Sequence, residues 1–399
     1  MDLNHVVIIG GGPAGCVLGT LLAKEGVPVT IIDSGKRPDL VVGESLIPAV
    51  MPHLRDLGVE QQVVEIGQFK PGASIFFSDG LEWQLKFSSN EKSAYQYAFN
   101  VPRLEFDAIF QKLAIQSGCE FKIGKANLVT CSEDTVTIDG FGDASLLVDA
   151  SGRSRTLSRQ LSIPATAGKR KDVALFAHCT GAQLPHGGNI HLAVSEQGWS
   201  WRIPLRGKVS IGVVAPRDYV QAFGLSDQER FDRLLSSCPF LNQYLLSDTT
   251  RLSPVMHYNN YQLTSDRIVG KNWVMVGDAA GFIDPVFSGG IYLAISAATK
   301  LAKALLNNQL TEYEQQYRKH LFAWQDLADS FYDGRFFEMI RYGEILRSRG
   351  HEIQRIVELV CGIVSGVTIQ SEQTLAAFNS LLSSPPFTSQ KLTKIAGHQ

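Results

Sequence analysis

Gly10, Gly12 and Gly15 stand in G-x-G-x-x-G spacing directly after the apolar run Val6 to Ile9, and a second apolar run, Val29 to Ile32, ends at Asp33. Residues of these types at these intervals suit the binding of a dinucleotide, and each has its own task. Gly10 permits a tight turn, Gly12 lets the backbone approach a pyrophosphate, and Gly15 lets a helix pack closely on the first strand. Pro13, Ala14 and Gly15 fall in the first turn of that helix, whose free N–H groups and partial positive charge face the phosphates. Asp33, at the tip of the second strand, is placed to accept hydrogen bonds from a ribose, and Ser34 follows it in the polar turn SGKRPD. A lone glycine motif is weak, but strand, turn, helix, strand and acid in register are specific. The position of the motif at the start of the chain points to FAD rather than a loosely held NAD.

Other residues able to do chemistry are scattered. Gly43-Glu44-Ser45 precedes a helical spacing of apolar residues from Ile47 to Leu57, which makes Ser45 an N-cap and Glu44 a solvated acid when read alone. Lys70 lies in the turn GQFKPG and reads alone as a solvated lysine. Trp199 and Trp201, in GWSWRIPL, suit a core pair or an apolar wall. Asp149 to Gly152 end the buried run Leu146 to Val148, and ligands of open α/β sheets lie beyond such strand ends. Asp278, after the run beginning at Trp273, either accepts from sugar hydroxyls or caps the next helix.

The elements that must position these residues follow an informative order. Strand, helix and strand come first. Alternating segments then suggest a hairpin around Ser78-Asp79-Gly80 and antiparallel strands over 173–215, for instance NIHLAVS and KVSIGVVA. Residues 88–97 read as a polar loop and 226–248 as helical. The chain then returns to a strand with WVMVGDAAG, and from Leu310 to Val364 amphipathic helix predominates, followed by a Ser/Pro-rich stretch and a polar tail. This order predicts an α/β protein, a nucleotide-binding domain interrupted by a sheet domain. One dinucleotide motif is present, and no second one for NADPH.

Composition bounds the rest. The 399 residues can hold about two or three domains, and 44% hydrophobic with 19% charged residues is ordinary for a globular chain. A formal net charge of −2 argues against nucleic-acid binding, which needs a basic face. Six dispersed cysteines without a C-x-x-C pair read as buried thiols of a reducing compartment, not disulfides or metal ligands. The first strand begins within about five residues, so no signal peptide is expected, and no apolar run reaches the ~18 residues of a spanning helix. The expectation is a cytoplasmic protein.

GGGPAG, Arg103 ahead of a helix, DASG, and Gly277-Asp278-Ala279-Ala280 together resemble the FAD-containing monooxygenases of the hydroxybenzoate-hydroxylase type over about residues 1–310. The resemblance implies that Asp278 hydrogen-bonds the ribityl chain and that Arg103 contacts the phosphate or ribityl region. It implies a Rossmann-like FAD-binding domain of glutathione-reductase type over 1–75, 100–165 and 265–308. An antiparallel-sheet substrate domain would cover 76–99 and 166–264, and a helical C-terminal region 309–399.

Four further features narrow the resemblance to the flavin-dependent halogenases and their relatives. Gly43-Glu44-Ser45-Leu46-Ile47-Pro48 looks like their GES-x-x-P turn, which implies that Glu44 and Ser45 lie against the flavin. Trp199-Ser200-Trp201-Arg202-Ile203-Pro204 matches their W-x-W-x-I-P motif. Phe282 to Gly290 matches F-x-x-P-x-x-S-x-G, which implies halide and flavin contacts for Pro285, Ser288, Gly289, Gly290 and Ile291. Lys70, in Lys-Pro-Gly-Ala, falls where phenol- and pyrrole-type members carry their active lysine. The implied chemistry joins reduced FAD and O2 in a C4a-hydroperoxide, with Lys70 binding hypohalite or forming a haloamine. Trp199 and Trp201 would keep the organic substrate from touching the flavin.

Two departures shape the expected reaction. Only about 90 residues follow the FAD-binding segments, and Ser288-Gly289-Gly290 replaces the usual serine followed by a hydroxyl residue. A short C-terminal region suggests an open site for a large or tethered substrate. Relatives that oxygenate a tryptophan during quinone-cofactor maturation share this feature. The sequence reading is therefore a halogenase-like FAD monooxygenase acting on an electron-rich ring, tryptophan- or indole-like first, free or on a protein or carrier. The alternatives are a halogenase that chlorinates or brominates a phenol, pyrrole or indole through Lys70, and a non-catalytic flavin-binding scaffold subunit. Expected partners are O2, an aromatic substrate, a halide in the halogenase reading, and a separate flavin reductase.

Overall fold

In the computed structural model, Val6–Ile9 pairs in parallel with Val29–Asp33 on one side and Leu146–Asp149 on the other, with Val7 between Thr30 and Leu147. The structure describes residues 3–38, 40–89, 95–132, 135–182, 184, 186–237, 245–348, 350, 354–367, 369, 376 and 380. The chain divides into two units, Met1–Gly43, Arg103–Lys169 and Tyr261–Phe322 in the first, and Glu44–Pro102, Arg170–Asn260 and Ala323–Gln399 in the second.

The first unit is built on a five-stranded parallel sheet. Its order is Trp273–Met275, Leu146–Asp149, Val6–Ile9, Val29–Asp33 and Glu120–Ile123. Val6 to Ile9 is wholly buried, as an apolar run needs when helices cover both faces of a parallel sheet. The helix Pro13–Lys24 starts with proline at its first position, where a missing N–H costs nothing, and packs against Arg103–Gln116 and Gly290–Leu306. A small antiparallel sheet of Val129–Cys131, Val136–Ile138 and Gly142–Ala144 lies in sequence between two strands of the parallel sheet, Glu120–Ile123 and Leu146–Asp149.

Two tyrosines of the helix Leu310–Tyr332 hold the end of the edge strand. Tyr313 Oη donates to Met275 O at 3.2 Å and Tyr317 Oη to Gly277 O at 3.1 Å. Both hydroxyls are buried, and burial pushes their pKa values up, so they stay donors.

The second unit carries a mixed sheet. Glu82–Lys86, Gly72–Phe76, Ile190–Ser195, Gly198–Leu205, Lys208–Pro216 and Ala165–Ala182 follow one another across it. The expected antiparallel pairing holds between most neighbours, and Gly72–Phe76 runs parallel to Ile190–Ser195, with Ala73 opposite Ile190 and Phe76 opposite Ala193. The hairpin around Asp79-Gly80 forms as expected, with Ile75 opposite Trp83. One face of the sheet holds an apolar core of Val173, Leu175, Ala177, Val209, Ile211 and Val213, closed by Val220, Phe231 and Leu234. The other face displays Phe176, His178, Trp199 and Trp201.

Two local readings also change. Among the described residues of 226–248, helix covers Asp227–Ser236, capped by Ser226 and Glu229, and the segment runs into a strand, Leu245–Arg251. Residues 238–244 and the Ser/Pro-rich tail lie outside the described residues, as do residues 90–94 of the polar loop predicted at 88–97. The helices beyond Leu310 are present as Leu310–Tyr332, Arg335–Ser348 and Gln354–Val364. Five cysteines are free thiols, with Cys238 outside the described residues. Among the described residues, no helix is long and apolar enough to cross a membrane, and no group of side chains could hold a metal ion.

Candidate active site

The glycine turn has a different constraint at each position. Gly10 has φ +109°, and a Cβ there would lie 2.3 Å from Ala150 O. A Cβ on Gly15 would lie 2.0 Å from Gly10 O, so helix and turn touch through their backbones. At Gly12 a Cβ would meet nothing within 4 Å, and the backbone is extended, φ −81°. The fold therefore demands glycine at 10 and 15, while the space before Gly12 is left open at the N-terminus of a 12-residue helix. A pyrophosphate fits such a cradle.

Asp33 braces this turn. Its Oδ2 accepts from the Gly11 N–H at 2.8 Å and its Oδ1 from the Gly35 N–H at 2.9 Å. Arg37 lies 3.5 Å from the same carboxylate and donates to Gly11 O at 2.8 Å. Ser34 is exposed and its Oγ accepts from the Lys36 N–H.

Asp278 sits in the turn Gly277–Ala279, where Gly277 has φ +64°. Its half-buried carboxyl has no hydrogen-bond partner among the described residues. Desolvation pushes its pKa up to about 6, against the opposing pull of Arg153 and then Arg103. A carboxylate so placed needs donors, and sugar hydroxyls would supply them. Arg103 is itself fixed by Asp107, at 3.1 and 3.2 Å, and by a hydrogen bond to Val42 O.

The turn after Pro285 stores strain. Ser288 adopts φ +58°, unusual for a residue with a Cβ, and its N–H donates to Pro285 O at 2.9 Å. Gly289 then caps the helix Gly290–Leu306, a 17-residue helix whose first N–H groups, at Gly290 and Ile291, have no partner within the helix itself. Gly290 is exposed with open space before it, and Ile291 is buried.

In the second unit, two motifs far apart in sequence meet. Gln68–Lys70 pairs with Ala98–Asn100, which turns the Lys70 side chain inward to 1% exposure. Lys70 Nζ donates to Ser45 Oγ and to Leu46 O, each at 2.8 Å, and lies 5.3 Å from the Phe87 ring. Burial lowers its pKa to about 7. The lysine is thus a buried amine, correcting its reading as a solvated turn residue. Ser45 is no N-cap either: it bridges to Asn100, and the following 3-10 turn Pro48–Val50 begins from Ile47 without a side-chain cap. Glu44 is buried rather than solvated, and its Oε1 lies 2.7 Å from His178 Nε2. The side chains of Glu44 and Ser45 are therefore engaged with His178 and Lys70.

Trp199 and Trp201 lie on one face of the mixed sheet, ring centroids 5.7 Å apart, with Phe176 5.9 Å beyond Trp201. Gly212, opposite Trp201 in register, has no side chain because the indole lies over it. Both indoles are buried with their N–H groups paired, Trp199 to Tyr332 Oη at 3.0 Å and Trp201 to Ser210 Oγ at 3.3 Å. Arg170, ion-paired to Asp172, stacks 3.6 Å from the Tyr332 ring and extends the packed layer.

Sequence reasoning did not find Arg153, His178, Tyr313, Tyr317 or Tyr332. Each is an isolated side chain without a motif, and its partner lies far along the chain.

Comparison with known proteins places this architecture. The family model "Tryptophan halogenase" matches residues 5–88 and 81–336. Flavin-dependent halogenase armH3 of Armillaria mellea is 31% identical over 346 residues, 76% of this chain and 68% of the relative. Tryptophan 2-halogenase of Chondromyces crocatus is 28% identical over 357 residues, 83% of this chain and 68% of the relative. A 1H-pyrrole-2-carbonyl carrier-protein brominase of Pseudoalteromonas luteoviolacea is 28% identical over 322 residues, 75% of this chain and 76% of the relative. Among solved structures, the flavin-dependent brominase Bmp2 superposes with a TM-score of 0.80 at 23% identity, covering 95% of this chain and 98% of that one.

A flavin-binding fold with these motifs defines a class, the FAD-dependent oxidoreductases. Within it, the chain belongs to the tryptophan halogenase family. Its cofactor is FAD, and the residues described above fit that group. The family and the named relatives support halogen transfer over the oxygen transfer that headed the sequence reading.

Proposed function

We propose that this protein is a flavin-dependent halogenase that places chlorine or bromine on an electron-rich aromatic ring, an indole, pyrrole or phenol, free or held on a carrier. The observation that carries this reading is the Lys70 amine, buried, lowered to about 7 and held by two neutral acceptors.

FAD would be held by Gly10, Gly12, Pro13, Ala14, Gly15, Asp33 and Ser34 in the first glycine turn and by Arg103, Asp278 and the Pro285–Ile291 turn. Bound reduced FAD supplies the two electrons with which O2 oxidises a halide to hypohalous acid. An uncharged lysine has two N–H donors, and Ser45 Oγ and Leu46 O accept both, which leaves the lone pair free. That lone pair takes the halogen. The N–halogen bond forms as the O–halogen bond breaks, hydroxide leaves, and the proton displaced from nitrogen completes a water. The ring carbon next attacks the halogen, the bonding pair returns to nitrogen, and the ring proton restores the amine. Trp199 and Trp201 form an apolar wall that limits water near the reactive halogen. With no second dinucleotide motif in the sequence, a separate reductase supplies reduced flavin.

The test is mass spectrometry of products after the protein, reduced FAD, O2 and bromide are mixed with simple indoles, phenols and pyrroles, and with pyrrole-2-carbonyl held on a carrier protein. A bromine isotope doublet is expected. Gain of one oxygen with no bromine would overturn the reading in favour of hydroxylation.

A further inference from the structure

Gly11 stands inside the glycine turn, and side chains take up both of its backbone groups. Its N–H donates to Asp33 Oδ2 at 2.8 Å. Its carbonyl accepts from Arg37 Nη2 at 2.8 Å, from Gln111 Nε2 at 3.0 Å and from the Cys16 thiol at 3.3 Å. Three side chains from three segments thus converge on one oxygen. Gln111 comes from the helix Arg103–Gln116, in which Arg103, Asp107 and Gln111 stand at i, i+4 and i+8 and share a face. Asp107 on that face binds Arg103 at 3.1 and 3.2 Å and Arg37 at 3.3 Å.

This convergence answers a weakness of the turn. A Cβ at Gly11 would lie 2.6 Å from the Phe121 ring and 2.8 Å from Asp33 Oδ2, so glycine is required there, and Gly12 is bare on the open side. A peptide between two glycines reorients with little steric resistance. In a planar trans peptide the C=O and the following N–H point in opposite directions. With the Gly11 oxygen drawn to Gln111 and Arg37, the Gly12 N–H faces the other way, and among the described residues it meets no acceptor. Reversed, the same peptide would offer a phosphate an oxygen, which repels it.

We propose that Gln111 and Arg37 are positioning residues that lock the Gly11–Gly12 peptide with its N–H turned to the FAD pyrophosphate. The proposal rests on the reading of the Gly12 turn as the pyrophosphate cradle. Either donor holds the oxygen without the other. Loss of both leaves the Cys16 thiol, a weak donor, and frees the peptide to reverse.

The experiment uses the full chain stripped of FAD and titrates it by calorimetry with FAD and with ADP, which carries the same pyrophosphate. Gln111→Met keeps the size of the side chain and removes its donor. Affinity for both probes should fall about threefold, the scale of one neutral hydrogen bond. In an Arg37→Met background the same change should cost about 30-fold, because it now releases the peptide. Each cost is taken within one background, so the lost charge of Arg37 cancels. Circular dichroism confirms that each variant is folded. Equal costs in the two backgrounds, or no cost in either, overturn the proposal. So does a loss for FAD with ADP unaffected, which would place the effect away from the pyrophosphate. Nitrogen-15 glycine labelling follows the peptide itself, with the Gly12 amide identified by its loss in Gly12→Ala. ADP should shift that resonance in the parent and leave it in place in the double variant, and an equal shift in both overturns the proposal. Retention of FAD by Gly12→Ala would sink the cradle instead, so the two readings fail in different experiments.

Discussion

Lys70 Nζ stands 2.8 Å from Ser45 Oγ, and both side chains are buried, so the amine that we propose carries the halogen is solvated by the protein alone. Lys70→Met should therefore keep FAD and lose product. The expected fall in halogenation is about 100-fold or more, the scale of removing a reacting group. Lys70→Arg should fall as far, because a guanidinium never offers the lone pair. Steady-state product formation beside flavin absorbance of the purified variants measures both.

The pH profile should follow the same amine. Its folded pKa is about 7 against 10.5 for an ordinary lysine, so the uncharged fraction grows as pH rises through 7. Single-turnover halogenation should climb with a midpoint near there. Stability has the same sign. Below about 7 both folded and unfolded chains bind the proton and the cost of burying the charge is complete. Between about 7 and 10.5 the unfolded chain binds more protons, so this lysine's contribution to stability rises with pH. Thermal unfolding of the parent against Lys70→Met across this window would show it.

Asp278 should set cofactor binding against stability. In the apo protein its folded pKa is raised to about 6 from 3.8, so its penalty appears as pH rises through that interval and is complete at neutral pH. Asp278→Asn should stabilise apo protein at pH 7 by about 1–2 kcal/mol, less than the full shift implies because the side chain keeps partial exposure. The same variant should release FAD more readily. Calorimetry and a fluorescence titration with FAD test the two halves.

The three glycines should fail in different ways. Gly12→Ala has open space and an extended backbone, so the chain should fold and lose FAD. Gly10→Ala forces a Cβ against Ala150 O at φ +109° and should cost folding itself. Circular dichroism and flavin content of purified protein separate them. A Gly12→Ala protein that retained FAD at the parent's affinity would remove the pyrophosphate from that position.

Tyr332→Phe should leave the Trp199 indole N–H buried without its acceptor. A loss of about 1–3 kcal/mol in stability is expected, measured by urea unfolding.

Much of the first unit was legible because its signals are local. Val6 to Ile9, the glycine turn and Asp33 lie within 30 residues, and each constrains its neighbours through backbone geometry alone. The pairing of Gly72–Phe76 with Ile190–Ser195 was not, because a parallel register joins segments more than a hundred residues apart and leaves no turn between them. Lys70 shows the same limit. Lys-Pro-Gly is turn chemistry, which reads as solvent-exposed, and the acceptors that bury the amine lie at 45 and 46. His178 carries no motif, and its partner is 134 residues away.

The tyrosine pair on Leu310–Tyr332 works as a molecular ruler. Four residues of α-helix advance about 6 Å and two residues of strand about 6.6 Å, so Tyr313 and Tyr317 match Met275 and Gly277 nearly atom for atom. One residue inserted between the tyrosines would rotate one hydroxyl by about 100° and leave a carbonyl bare, whereas a residue added in the turn before Leu310 would leave the spacing intact. The divergence open to this helix is thereby quantised: its side chains can change, but its length across one turn cannot.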